Sequence, residues 1–345
     1  MECSSRLRVR HAIVALSIAL VGCGTDEPTT SPAPTSVGST PSAAALRVGM
    51  LPQLAGTPYT EALRRGAEEA ARELGVELRF DAPARPLPEL QTAILDEWVG
   101  RGIDAVAVAP NDPFVLAPAF VRSTNRGVSM LSFDADASPT GSRRLRFVSP
   151  ATETEVARLL VDSLIDATQG VGEVVIVTGA AEAPNRNAWT FRIQRLLESS
   201  HPKIRLLDTI ITDENAERTR EETESILRKR PDLAAVISLG ETTLPVVART
   251  VRDAGLRGKV FVSGVGLPST VSEFVADGTI RSFVSWNPVD LGYLAVHAAK
   301  AAREGSLKSG PSTFGRLTAI QVTDDEIILG SPIRFGRDNA GPPPY

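Results

Sequence analysis

The sequence predicts an α/β protein built as two doubly wound lobes, and two observations carry that prediction. Short apolar runs rich in Val, Ile, Leu and Phe alternate with longer stretches of helical period, and the series runs through once and then begins again. Such runs are mostly apolar without strict alternation, as parallel strands covered by helices on both faces are. The first set is LRVGML from Leu46, VELRF from Val76, IDAVAVA from Ile103, VSMLSFD from Val128 and LRFVS from Leu145. The second is EVVIVTG from Glu173, IRLLDTII from Ile204, LAAVISLG from Leu233, VFVSGVG from Val260 and IRSFVSW from Ile280.

The helix after the first strand shows its period plainly. YTEALRRGAEEAARELG places Tyr59, Leu63, Ala67, Ala70, Ala71 and Leu74 on one face, with Gly75 as a C-terminal stop. Comparable helices are expected over 87–100, 113–126, 152–168, 188–199, 216–229, 242–255, 268–276 and 289–304. Composition agrees: 345 residues with 42% hydrophobic and 23% charged side chains are globular and long enough for about two domains.

The N-terminus reads as a processing signal over residues 1–22. Arg6, Arg8 and Arg10 precede an apolar run from Ala12 to Leu20, which is short of the ~20 residues that span a bilayer. Small residues Val21 and Gly22 follow, and then Cys23. Leu-Val-Gly-Cys resembles the lipobox of bacterial lipoproteins, which implies a lipid on the Cys23 sulfur and a protein held at a membrane in the periplasm or cell envelope. An ordinary secreted chain with an incidental cysteine is the other reading. Cys3 leaves with the signal, so neither cysteine remains for a disulfide, a nucleophile or a thiolate metal site. Residues 23–45 are mostly Thr, Ser, Pro and Ala, too poor in large apolar groups to order themselves, and read as a disordered tether.

The formal net charge is −4, or −6 once residues 1–23, with three arginines and one glutamate, are removed. A mildly acidic body lacks the basic face that nucleic acid demands.

Ligands of doubly wound sheets sit beyond the carboxyl ends of the strands. The residues there are 53–59, 111–112, 134–138, 180–187, 241–242, 264–269 and 286–290, a set rich in Asn, Asp, Gln, Glu and Trp. Carboxylates, carboxamides and guanidinium groups each pair with neighbouring hydroxyls, while an aromatic face covers the apolar side of a ring. A hydroxyl-rich ligand fits that chemistry.

Seven stretches, in this order and spacing, carry a resemblance: GMLPQLAGTPYTEALRRGAEEAARELG, GIDAVAVAPNDP, RGVSMLSFDADASP, APNRNAWT, TLPVVARTVRDAGL, VADGTIRSFVSWNPVDLGYLAV and PIRFGRDNAG. Together they make the chain from Leu46 to Asn339 resemble the type 1 periplasmic sugar-binding proteins, substrate-binding components of ABC importers. Within them it looks most like the rhamnose-binding and autoinducer-2-binding branch.

The resemblance implies two Rossmann-like lobes joined by a three-segment hinge that closes on a ligand. The crossings are expected near 149–151, near 286–288 and within 317–331. Residues 46–149 plus 287–316 would form the N-terminal lobe, and 150–286 plus 317–345 the C-terminal lobe. It also implies a monosaccharide or similar polyol as ligand, an ABC permease as partner, no cofactor, and a monomer.

Site residues carry over one by one. Asp134 matches the aspartate that binds ligand hydroxyls; an N-cap or loop carboxylate is the alternative. Asn185 and Arg186 stand where the autoinducer-binding members have an acidic residue followed by carboxamides, and Arg186 is similar to the arginine of many pentose and hexose binders; a polar helix start is the alternative. Gln53 replaces a lysine of the autoinducer branch. Glu241 replaces a small residue and either reaches the pocket or points to solvent. Tyr59, Trp189 and Trp286 either stack on a ring or pack in the core. Asp136 with Asp134 suggests a metal pair, but no third ligand is visible and a solvated loop carboxylate is expected.

Other functions fit less well. Gly264-Val-Gly266 follows a strand, yet Ser269 stands where the dinucleotide fingerprint needs glycine. No G-x-S-x-G elbow occurs, and of the three histidines His11 leaves with the signal, while His201 and His297 are expected at helix ends or the surface. No enzyme is therefore expected. A regulator of transcription would carry a DNA-binding headpiece where this chain has its signal. A lipoprotein presenting its ligand to a sensor kinase or chemoreceptor stays open beside import.

Overall fold

The computed structural model describes residues 45–137 and 139–339. The expected signal, Cys23 and all of the tether but Ala45 lie outside the described residues.

The first lobe begins with β1 (Arg47–Leu51), α1 (Pro58–Leu74), β2 (Glu77–Phe80), α2 (Pro88–Gly100), β3 (Ala105–Val108), α3 (Pro113–Asn125), β4 (Ser129–Phe133), the short α4 (Pro139–Ser142) and β5 (Phe147–Ser149). The chain then crosses into the second lobe. That lobe comprises α5 (Glu153–Thr168), β6 (Gly172–Thr178), α6 (Pro184–Ser200), β7 (Ile204–Ile211), α7 (Ala216–Lys229), β8 (Leu233–Leu239), α8 (Thr243–Asp253), β9 (Phe261–Val265), α9 (Pro268–Ala276) and β10 (Ser282–Ser285). After a second crossing come α10 (Pro288–Arg303), β11 (Gly310–Phe314), β12 (Leu317–Val322) and β13 (Glu326–Ile328), and after a third β14 (Ile333–Gly336).

The two sheets share one plan. Strand order is β2-β1-β3-β4-β5-β13-β12-β11 in the first and β7-β6-β8-β9-β10-β14 in the second. The first five strands of each are parallel, and the order reverses between β1 and β3 and between β6 and β8. A crevice opens at such a reversal because the flanking connections leave on opposite faces of the sheet.

Each sheet is buried on both faces. In the first lobe, α1 and α10 cover one face around Val48, Met50, Leu63 and Leu294, and α2 and α3 cover the other around Leu95, Phe120 and Met130. In the second, α5 and α6 pack around Leu160, Ile176 and Ile193, and α7, α8 and α9 around Val236, Val247 and Phe274. The α1–α10 contact is closest. A methyl group at Gly66 would stand 1.8 Å from the Val289 carbonyl oxygen, and one at Gly292 would stand 2.1 Å from that of Leu63. Only hydrogen fits at either position, so α10 is locked onto the first lobe as soon as the chain returns from the second. Thr57 and Asn287 cap the two helices, each accepting from backbone N–H groups of the first turn.

Three expectations need correction. The tail does not pass to the second lobe at residue 317: β13 pairs in parallel with β5, and Ile320, Val322 and Ile327 are buried in the first core. Only β14 joins the second sheet, antiparallel to β10, so the third crossing is 329–332. His297 is not at a helix end or the surface. It lies within α10, 8% exposed, its ring 4.4 Å from that of Tyr293, and burial holds its pKa below the ordinary value. Asp136 is not a solvated loop carboxylate either. It takes the Arg144 guanidinium and the Ser132 hydroxyl, and Arg144, whose side chain is 1% exposed, also reaches Asp325 before β13.

Candidate functional site

The carboxyl ends of both sheets face one cleft with about 770 Å³ of free space, part of it open to solvent. All eight side chains singled out in the sequence line it: Gln53, Tyr59 and Asp134 from the first lobe, Asn185, Arg186, Trp189 and Glu241 from the second, and Trp286 from the second crossing.

In the first lobe the loops after β1 and β3 are fixed by Gln91 of α2, which is fully buried. Its amide donates to the carbonyls of Pro52 and Ala109, and its oxygen accepts from the Asn111 N–H. Asn111 in turn donates to the Gln53 carbonyl, and the Gln53 side chain donates to the Pro110 carbonyl at 3.0 Å. Both loops are thus rigid where they meet the cleft.

Asp134 ends β4 in the left-handed backbone region (φ 59°), a conformation unusual outside glycine that turns its side chain out of the sheet. It is 8% exposed. The Tyr59 hydroxyl donates to Asp134 Oδ1 at 2.9 Å, and the Trp286 indole N–H donates to the Tyr59 oxygen at 2.8 Å. A hydrogen-bond relay therefore joins the β4 loop, the start of α1 and the second crossing. Burial raises the Asp134 carboxyl to about 6, against the Tyr59 hydrogen bond and the Arg186 charge. Burial beside that carboxylate pushes the Tyr59 phenol well above its ordinary value.

In the second lobe Arg186, in the first turn of α6, pairs with Glu214 from the loop after β7, and the Thr242 hydroxyl donates to the same carboxylate. The pair lies against bare backbone: a methyl group at Gly179 would meet the Glu214 carboxylate at 2.0 Å. Asn185 turns its side-chain oxygen back onto the Arg186 N–H. Glu241 follows β8, and burial raises it to about 7; the Thr57 hydroxyl and Arg186 hold it down, while Glu214 and Asp134 push it up. It reaches the cleft.

Trp189 and Trp286 both pack in the core and both line the cleft. Each is 5% exposed within the second-lobe core and also presents surface to the cleft, with ring centroids 5.8 Å apart. Asn187 does not line the cleft; it is exposed and donates to the Ala181 carbonyl. Glu214 and Gln91 were missed by sequence reasoning. Glu214 lies just past the carboxyl end of β7, where the strand-end rule points to it, and Gln91 is a polar residue one turn before Leu95 on a helix face otherwise apolar.

The arrangement offers acceptors, donors and aromatic surface from two lobes around one space, which suits recognition of a hydroxylated ring. Among the described residues no group of His, Cys, Asp or Glu is placed to hold a metal ion.

Residues 48–307 match the family model of the periplasmic binding protein domain. The D-allose-binding periplasmic protein of Escherichia coli (strain K12) is 24% identical over 303 residues, 83% of this chain and 94% of that protein. Among solved structures, an ABC transporter solute binding protein from Clostridium phytofermentas with bound L-rhamnose is 26% identical. It covers 87% of this chain and 98% of its own with a TM-score of 0.79. LsrB from Clostridium saccharobutylicum in complex with AI-2 is 19% identical, over 86% of this chain and 98% of its own, with a TM-score of 0.80, a likeness of fold alone.

Proposed function

Because this chain belongs to the periplasmic binding protein domain family, we propose that it is the substrate-binding lipoprotein of an ABC importer, capturing a monosaccharide or similar polyol by closure of its two lobes. The observation that carries this reading is the single cleft between two strand-end crevices, lined from both lobes by Asp134, Arg186, Glu241 and two tryptophans. A ligand that touches both lobes favours the closed arrangement by its differential affinity. The names of the relatives, which bind D-allose and L-rhamnose, place neutral sugars first among the compounds to try.

In this reading Asp134 and Asn185 take ring hydroxyls, Arg186 bridges neighbouring oxygens, and Trp189 and Trp286 cover an apolar ring face. Cys23 carries the lipid, the protein works as a monomer in the cell envelope, and a membrane permease receives the ligand. No helix among the described residues is long and apolar enough to cross a membrane.

Thermal unfolding of the purified full-length protein against D-allose, L-rhamnose, D-arabinose and other monosaccharides tests the ligand. Saturation at ~1,000 times the dissociation constant stabilises by about 4 kcal/mol through mass action, so a true ligand gives a large shift. A flat panel after unfolding and refolding, which strips carried-over ligand, removes the sugar assignment. For the anchor, Cys23→Ser is expected to move the protein from the membrane to the soluble fraction, and unchanged fractionation would reject lipidation at that residue.

A further inference from the structure

We propose that the ligand of this cleft bears a positive charge, that it is an amino sugar or similar hydroxylated ammonium compound, and that its ammonium group lodges against Asp134 and Glu241. The proposal rests on the sugar reading above and narrows it.

The argument is one of charge. Three carboxylates line the cleft, Asp134, Glu214 and Glu241, and Arg186 is the only cation lining it among the described residues. Arg186 is already matched by Glu214 within the second lobe, and the pair is set against the backbone at Gly179. Asp134 and Glu241 feel the Arg186 charge but form no ion pair with it, since its guanidinium contacts Glu214. The Asp134 carboxylate holds one hydrogen bond, from Tyr59 to Oδ1. Glu241 Oε2 is buried and has no hydrogen-bond partner.

A buried acceptor without a partner is costly, and two buried carboxylates facing one cavity repel each other. A neutral hydroxyl would supply a donor and leave that repulsion in place; an ammonium group supplies up to three donors and removes it. A metal ion would also bring positive charge, but these side chains are not grouped to cage one among the described residues. The tryptophan rings beside the carboxylates suit an organic cation, whose ring face they cover and whose charge they attract. Burial raises the two carboxyls to about 6 and about 7, and a bound cation lowers both.

Calorimetric titration of the full-length protein at about pH 7.5 decides the matter with paired probes. The pairs are D-glucosamine with D-glucose, D-galactosamine with D-galactose and D-mannosamine with D-mannose, and neutral D-allose and L-rhamnose are titrated alongside. At least one amine is expected to bind about tenfold or more tightly than its neutral parent, charged hydrogen bonds being the stronger kind. That margin should shrink at about pH 5.5, where both carboxyls are largely protonated. Glu241→Gln, which keeps shape and removes charge, should erase the margin between each amine and its neutral parent, whatever it does to the affinity for either alone. Neutral sugars binding as tightly as the amines, or more tightly, would overturn the inference and leave the sugar reading standing. A margin untouched in Glu241→Gln would overturn the place given to the ammonium group. No binding by any probe would remove both readings together.

Discussion

Asp134 and Glu241 are carboxylates that folding takes out of water, and the free protein bears the consequence. Their pKa values rise from 3.8 to about 6 and from 4.5 to about 7, burial being the largest cause in each. The native state therefore binds more protons than the unfolded chain between about pH 4 and pH 7, and stability falls as pH rises across that window. The penalty at neutral pH is on the order of 3 kcal/mol for each group. The ligand-free protein is thus expected to melt higher near pH 5 than near pH 7.5, and Asp134→Asn with Glu241→Gln should flatten the difference. A melting temperature independent of pH over that range would show that neither carboxyl is perturbed. In binding, Asp134→Ala removes an acceptor for ligand donors and is expected to cost about 1.5–3 kcal/mol per charged hydrogen bond, read as a tenfold or greater loss of affinity. Affinity within twofold of native would take Asp134 out of the site. The type of these residues and their place at strand ends were legible in the sequence. Their partners were not, because the Tyr59–Asp134 and Arg186–Glu214 contacts join residues far apart in the chain that only the folded loops bring together.

At the scale of elements, each apolar run of the two series became a strand and each helical stretch a helix, since the inner parallel strands are buried on both faces and an amphipathic stripe must be covered. The strands after α10 escaped notice for the same reason in reverse. The segments β11 and β12 are antiparallel and half exposed, with burial alternating along GPSTF and LTAIQV, and β13 and β14 are three and four residues long. So brief a pattern does not announce which sheet it joins, and the third crossing was placed too early. The α1–α10 contact makes a sharper prediction. Gly66→Ala would drive a methyl group into the Val289 carbonyl and separate two helices of the first core, a loss of about 1–3 kcal/mol or more. Gly100→Ala, at the end of α2 with nothing within 4 Å, should be neutral or slightly stabilising. Urea unfolding of the two variants measures the contrast, and equal midpoints would mean that the helices separate freely.

Among the described residues after Ala45 the chain forms two bodies joined at 150–152, 286–287 and 329–332, and the cleft charges act across that joint. Asp134 belongs to the first lobe, while Arg186, Glu214 and Glu241 belong to the second and together carry one net negative charge when ionised. Arg186 attracts Asp134, but it is held by Glu214, and the Asp134 charge raises the cost of ionising Glu241. Ionised and empty, Asp134 and Glu241 oppose each other across the cleft; protonation or a bound cation removes that opposition. Contacts already present between the lobes, such as the Thr57 hydroxyl acting on Glu241, then favour closure. Small-angle X-ray scattering of the ligand-free protein should give a larger radius of gyration near pH 7.5 than near pH 5.5, and a bound ligand should restore the smaller value at the higher pH. Trp189 and Trp286, two of the three tryptophans, line the cleft, so fluorescence should follow the same transition and lose most of its response in Trp286→Phe. A radius that ignores both pH and ligand would mean that the lobes are held together by packing alone and that the cleft charges serve the ligand without moving the hinge.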